Sequence, residues 1–166
     1  RSGGNDMTVQ IVPGFERPHQ IRELFTEYTK LIIDQDRRYH EFLMMQNYED
    51  ELLHPEQKYS PPTGRLYLAY CDQALAGCIA LRQLDETRCE MKRLYVRPGF
   101  RKQHIGSILV RRIINDAKAI GYKHLLLDTF PFLDVAVRMY ERMGFRYIPR
   151  YNDSPMDSTI YMQLDL

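Results

Sequence analysis

The 166-residue sequence has only three cysteines, Cys71, Cys78 and Cys89. An odd number without metal-type spacing excludes a disulfide framework, and nothing nearby suggests a paired base for a nucleophilic thiol. They read as reduced, mostly buried thiols of a cytoplasmic protein. The five histidines are scattered, so no metal is expected. Net charge is +1 with 27% of residues charged, which argues against a nucleic acid or an anionic membrane surface as partner. No apolar run approaches the roughly 20 residues of a membrane span, and there is no signal-peptide pattern. The Gly-rich dinucleotide fingerprint and its downstream acidic residue are missing. Internal repeats and low-complexity segments are absent too. A chain of this length suits one domain and buries roughly 68–70% of its unfolded surface. Arg1 to Asp6 (RSGGND) precede Met7 and read as a vector-derived remnant, so the domain is expected over 7–166.

What is present centres on Cys89 to Gly121. Met91 to Val96 is a compact apolar and aromatic run with strand character. Arg97-Pro98-Gly99 stops it, because Pro cannot continue a ladder and Gly tolerates turn dihedrals. Ile105, Ile108, Leu109 and Ile113 then recur at helical spacing, and Gly121 sits where a left-handed cap is expected. The first turn of such a helix has amide N–H groups without helical partners and carries the positive end of the dipole. With Arg101 and Lys102 beside it, the loop suits a pyrophosphate, although a basic surface turn has the same composition.

Around this stretch, Thr8 to Val12 is an edge-strand candidate, and Ile21, Leu24, Phe25, Tyr28, Leu31 and Ile32 mark one face of a helix that starts at Pro18. Asp34 to Tyr59, charged and rich in Met and Tyr, is the least legible region. It reads equally as a solvated connection or a substrate-facing lid, with a short helix over Tyr48 to Leu53. Arg65 to Tyr70 and Leu75 to Leu84 form a hairpin, and Gly77 signals a bulge or a close approach. Thr87 to Val96 makes the third strand of an antiparallel meander. Leu125 to Leu127 is a fully apolar strand, as expected where helices cover both faces. Ala136, Met139, Tyr140 and Met143 mark a last helix ended by Gly144, followed by strands at Phe145 to Ile148 and Thr159 to Leu166.

Glu90 to Ser107 resembles motif A of the GNAT superfamily of acetyl-CoA-dependent N-acetyltransferases. The family's loop pattern, Q/R-x-x-G-x-G/A, would here be Arg101, Lys102, Gln103, His104, Ile105 and Gly106. Gly106 keeps the second glycine, and His104 stands where the first belongs. AVRMYERMGF, Ala136 to Phe145, is similar to a second family motif, with Leu133 where a cofactor-binding Asn is common. The pattern LLLDTFPFLDVAVRMYERMGF also resembles a group of bacterial members. The order of strands and helices, with one or two helices after the first strand, is that of the family from Met7 onwards. The resemblance implies an α/β (α+β) GNAT fold: a mixed, mostly antiparallel sheet of about seven strands flanked by helices.

The resemblance also implies a chemistry. Leu94, Tyr95 and Val96 would offer backbone groups to the pantetheine arm of acetyl-CoA, and Arg101, Lys102, Gln103, His104, Ile105, Gly106 and Ser107 would hold its pyrophosphate. An alkyl ammonium with pKa near ~10.4 must lose a proton before attack, a deficit of about 4–5 kcal/mol at pH 7. Glu90 holds the strand position of the catalytic Glu in several members and is the candidate base, with a structural ion pair to Lys92 or an arginine as the plain alternative. Tyr140 holds the usual general-acid position. Arg82 and Arg93, with Tyr28 and Tyr151, are candidates for binding the acceptor, where a buried arginine would favour a carboxylate or phosphate. The function implied is direct acetyl transfer from acetyl-CoA to a primary amine of a small molecule or peptide. A non-catalytic acyl-CoA sensor or scaffold on the same fold is the rival, and a homodimer is common in the superfamily.

Overall fold

The computed structural model describes residues 8–166; Arg1 to Asp6, read as a remnant, and Met7 lie outside them. One seven-stranded sheet organises the chain. Its strands are β1 (Val9–Pro13), β2 (Arg65–Cys71), β3 (Ala74–Gln83), β4 (Arg88–Val96), β5 (His124–Thr129), β6 (Arg146–Tyr147) and β7 (Ile160–Asp165). The spatial order is β1-β2-β3-β4-β5-β7-β6. Every neighbouring pair is antiparallel except β4 and β5.

Period-2 alternation splits the sheet's side chains between two cores. Tyr67, Ile79, Leu81, Met91, Leu125 and Leu127 face α5 (Ile105–Ile120) and α6 (Asp134–Arg142). Leu66, Leu68, Cys78 and Ala80 face α1 (Pro18–Gln35), together with α2 (Arg38–Met45), α3 (Tyr48–Leu53) and α4 (Glu56–Tyr59). The expected count of one or two helices between the first two strands is therefore corrected to four. The Asp34–Tyr59 segment is not a solvated connection, because its Tyr39, Phe42, Leu43, Tyr48 and Tyr59 are buried in the second core. Short helices of this kind gain their stability from tertiary burial rather than from propensity.

Local chemistry explains the joints. Asp72 and Gln73 both have positive φ, the requirement of a two-residue hairpin turn between twisted strands. Gly121, at φ 109°, caps α5 in the left-handed conformation. A β-carbon at Gly77 would lie 2.6 Å from the Tyr95 carbonyl oxygen, so the close approach read from the sequence is real. Between Cys78↔Tyr95 and Ala80↔Lys92, two β4 residues, Arg93 and Leu94, oppose Ile79 alone, with Arg93 at φ 60°. This β-bulge places Arg93 on the same face as Lys92, where simple alternation would have turned it away.

Candidate active site

The parallel pairing of β4 and β5 covers only Arg88↔His124, Cys89↔Leu125 and Glu90↔Leu126. Beyond Glu90 the strands part. The opening is a cleft of about 970 Å³, walled by Met91–Val96 on one side, Leu127–Phe130 on the other, and by α1, α2, α6 and the N-terminus of α5. The backbone edge of β4 from Met91 to Val96 has no β5 partner, so its amides and carbonyls are presented to whatever enters.

At one end of the cleft lie Arg101, Lys102, His104, Ile105, Gly106 and Ser107. No side chain caps the first-turn amides of α5. They point an unspent positive dipole end at the cleft, with Arg101, Lys102 and Arg111 around it, a donor set that fits a pyrophosphate. His104 adopts φ 61°, left-handed backbone that glycine enters without strain. The loop thus keeps the conformation of the missing first glycine without the glycine. Gln103 alone of residues 101–107 stays off the cleft; its amide oxygen accepts from Cys71 Sγ at 3.4 Å.

Tyr28, Arg93, Leu94, Tyr95, Val96 and Tyr140 all line the same cleft. Burial raises the Tyr140 phenol above its ordinary pKa and the charge of Asp128 adds to the shift, so the proton is firmly held at neutral pH. Tyr28 is raised likewise, by burial first. Its ring lies 6.0 Å from that of Tyr95, whose hydroxyl donates to Glu27 at 3.2 Å. Arg93 is committed to the protein: Nε and Nη2 donate to the two oxygens of Glu51 at 2.7 and 3.1 Å, and Nη2 also reaches Gln46 Oε1 at 2.9 Å. Glu51 has a second cation in Lys58, at 2.9 Å.

Glu90, Arg82 and Tyr151 are brought together, but they are not among the residues that line the cleft. Arg82 Nε donates to Glu90 Oε1 at 2.8 Å, the Tyr151 hydroxyl donates to Oε2 at 2.5 Å, and Lys92 Nζ stands 3.8 Å away. Burial would push the Glu90 carboxyl up, but the Lys92 and Arg82 charges and the Tyr151 hydroxyl outweigh it and hold it below the usual range. That environment makes Glu90 a weak proton acceptor.

Two cleft-lining carboxylates were missed by sequence reasoning, Asp134 at the start of α6 and Asp128 on β5. Asp128 is the one on the sheet. It accepts from Asn152 Nδ2 at 2.8 Å. After burial, its charge adds to raising the phenols of Tyr28, Tyr39, Tyr140 and Tyr151.

The family model described as Acetyltransferase (GNAT) family matches residues 19–145. The chain belongs to this family. An uncharacterised N-acetyltransferase of Schizosaccharomyces pombe is 40% identical over 126 residues, covering 75% of this chain and 77% of that one. The structure of an acetyltransferase from Streptococcus agalactiae superposes with a TM-score of 0.74 at 20% identity, over 98% of this chain and 99% of the other. A PaiA N-acetyltransferase from Thermoplasma acidophilum, solved in complex with coenzyme A, gives 0.69 at 20% identity, over 96% and 99%. The protein is a GNAT-family acyltransferase with the expected mixed, mostly antiparallel seven-stranded sheet. Among the described residues no helix is long and apolar enough to cross a membrane.

Proposed function

We propose that this GNAT protein transfers an acetyl group from acetyl-CoA directly to a primary amine of a small molecule or peptide. The observation that carries the reading is the meeting, in one cleft, of the uncapped α5 N-terminus with the Tyr140 phenol and the unpaired edge of β4. The co-substrate supplies the activated thioester. Residues 101–102 and 104–107 bind its pyrophosphate through backbone amides and the charges of Arg101 and Lys102, and Leu94 to Val96 align the pantetheine arm as an added strand would be aligned. Backbone N–H groups of the same edge stabilise the developing oxyanion.

The amine nitrogen forms the new C–N bond as the C–S bond breaks, and the electron pair leaves on sulfur. Tyr140 gives its proton to that sulfur, burial having kept the phenol protonated until then, and the second proton shed by the nitrogen as the amide forms restores the phenol. Asp128, lining the cleft beside Tyr140, attracts the ammonium and accepts its proton, directly or through one water. We place the base role on Asp128 rather than on the candidate Glu90, because Glu90 does not line the cleft and is stabilised as an anion by Lys92, Arg82 and Tyr151. Glu90 serves instead to hold Lys92 and Tyr151 in place. The test is thiol release from acetyl-CoA against a panel of amines. Tyr140→Phe and Asp128→Asn should each lower kcat about 10²–10⁴-fold while acetyl-CoA affinity persists, and Glu90→Gln should cost less than Asp128→Asn. A larger loss for Glu90→Gln than for Asp128→Asn would return the base role to Glu90.

A further inference from the structure

Lys92 is a cation held only loosely by its counter-charge, Glu90. Its side chain is only 8% exposed, so water does little to compensate it. Its ammonium carries three donors, yet its contacts are long: Glu90 Oε1 at 3.8 Å and Gln46 Oε1 at 3.4 Å. Both neighbours are already engaged. Glu90 is taken by Arg82 at 2.8 Å and Tyr151 at 2.5 Å, and Gln46 Oε1 by Arg93 at 2.9 Å. The buried cluster holds four cations, Lys58, Arg82, Lys92 and Arg93, against two carboxylates, Glu51 and Glu90. Arg82 and Lys58 reach solvent, and Arg93 has its bidentate partner. Lys92, which lines the cleft, has the longest ion pair of the four. A buried charge is costly unless an anion meets it.

The sheet register says where the other end of that anion would lie. Glu90 and Leu126 are the last paired residues of β4 and β5. Lys92 and Asp128 are each two residues further on, so both lie on the same sheet face, one on each side of the opening. Each has a polar partner, Lys92 in Glu90 and Asp128 in Asn152. One positive and one negative group thus line the same cleft, with Tyr28, Tyr39, Phe42 and Phe130.

We propose that the acceptor is an α-amino acid with an apolar or aromatic side chain, its carboxylate held by Lys92 and its amine by Asp128. This rests on the acetyl-transfer reading and narrows it. Such a zwitterion supplies a closer anion to Lys92 and presents its amine to the carboxylate beside Tyr140. Its side chain lies against the aromatic wall.

The test uses thiol release from acetyl-CoA with matched pairs that differ only in the carboxylate: phenylalanine against phenethylamine, and leucine against isoamylamine. A charge-assisted hydrogen bond of about 1.5–3 kcal/mol predicts kcat/KM roughly 10–150-fold higher for the amino acid of each pair. In Lys92→Met that preference should fall at least about tenfold, and in Lys92→Arg it should survive. Acetyl-CoA binding, followed separately by thermal shift, reports whether each variant is folded. Equal or better turnover of the decarboxylated amines by the wild-type protein overturns this inference and leaves acetyl transfer standing. A preference unchanged in folded Lys92→Met overturns it as well. No release with any amine, carboxylated or not, overturns both.

Discussion

Removing the charge of Glu51 is the sharpest test of how the cleft wall is held. Glu51 sits fully buried between Arg93, in bidentate contact at 2.7 and 3.1 Å, and Lys58 at 2.9 Å. Burial alone would raise its pKa, but Arg93 first and Lys58 next pull it from 4.5 down to about 2. A depression of that size corresponds to about 3 kcal/mol of folding stability. The sign follows from the depression: the stabilisation is complete above about pH 4.5 and is lost as pH falls toward 2. Glu51→Gln keeps the shape and leaves Arg93 buried without a counter-charge, for which breaking a buried pair suggests about 3–5 kcal/mol. With an unfolding entropy of about 2.1 cal/mol/K per residue, a chain this size should lose roughly 9–14 °C in Tm at pH 7. Thermal melts followed by circular dichroism from pH 2 to pH 8 measure both effects. The variant should be well below wild type at pH 7, and the two curves should converge near pH 2. Replacing both partners, Glu51→Met with Arg93→Met, should cost less than Glu51→Gln alone, since the fully buried guanidinium goes with its carboxylate and the half-buried Lys58 keeps the Gln46 carbonyl at 2.7 Å. A Glu51→Gln protein within 1 kcal/mol of wild type at pH 7 would refute the reasoning.

Three further outcomes follow from the loop and the sheet. Gly106→Ala has room, its added carbon meeting only Val96 Cγ2 at 3.8 Å, so the free protein should gain about 0.5–1 kcal/mol from better helix propensity; its thermal shift with acetyl-CoA should nonetheless shrink, because the methyl stands where the pyrophosphate approaches. His104→Gly relieves left-handed backbone at φ 61° and should match or exceed wild-type stability by up to about 1 kcal/mol in urea unfolding. Gly77→Ala drives a β-carbon to 2.6 Å from the Tyr95 carbonyl and should cost about 1–3 kcal/mol by the same assay.

The strands and the long helices were legible because their signals are local. Hydrophobic period set β2, β3, β7, α1 and α5, and glycines at Gly121 and Gly144, both with positive φ, marked where α5 and α6 end. Of the helices between Gln35 and Tyr59, α3 was legible at Tyr48 to Leu53, while α2 and α4 were not, since their side chains are ambiguous until the second core buries them. Within the site, Tyr140 and the loop at 101–107 carried motifs. Glu90 carried one too, but a sequence does not tell which charged strand residues reach the cleft. The bulge at Arg93 breaks the parity needed for that reading, and the pairing that covers Glu90 ends just before Lys92. Asp128 was hidden in LLLDTF, where the apolar triplet dominated. The available signal was its position at the carboxyl end of a strand, two residues past an apolar neighbour on the same face, where open α/β sheets place their ligands.

The most direct measurement of the central claim is thiol release from acetyl-CoA with an amine panel, run beside a thermal shift with acetyl-CoA alone. Stabilisation by acetyl-CoA together with acceptor-dependent release that Tyr140→Phe abolishes is the predicted result. Stabilisation without release from any acceptor, or no response to acetyl-CoA at all, contradicts it.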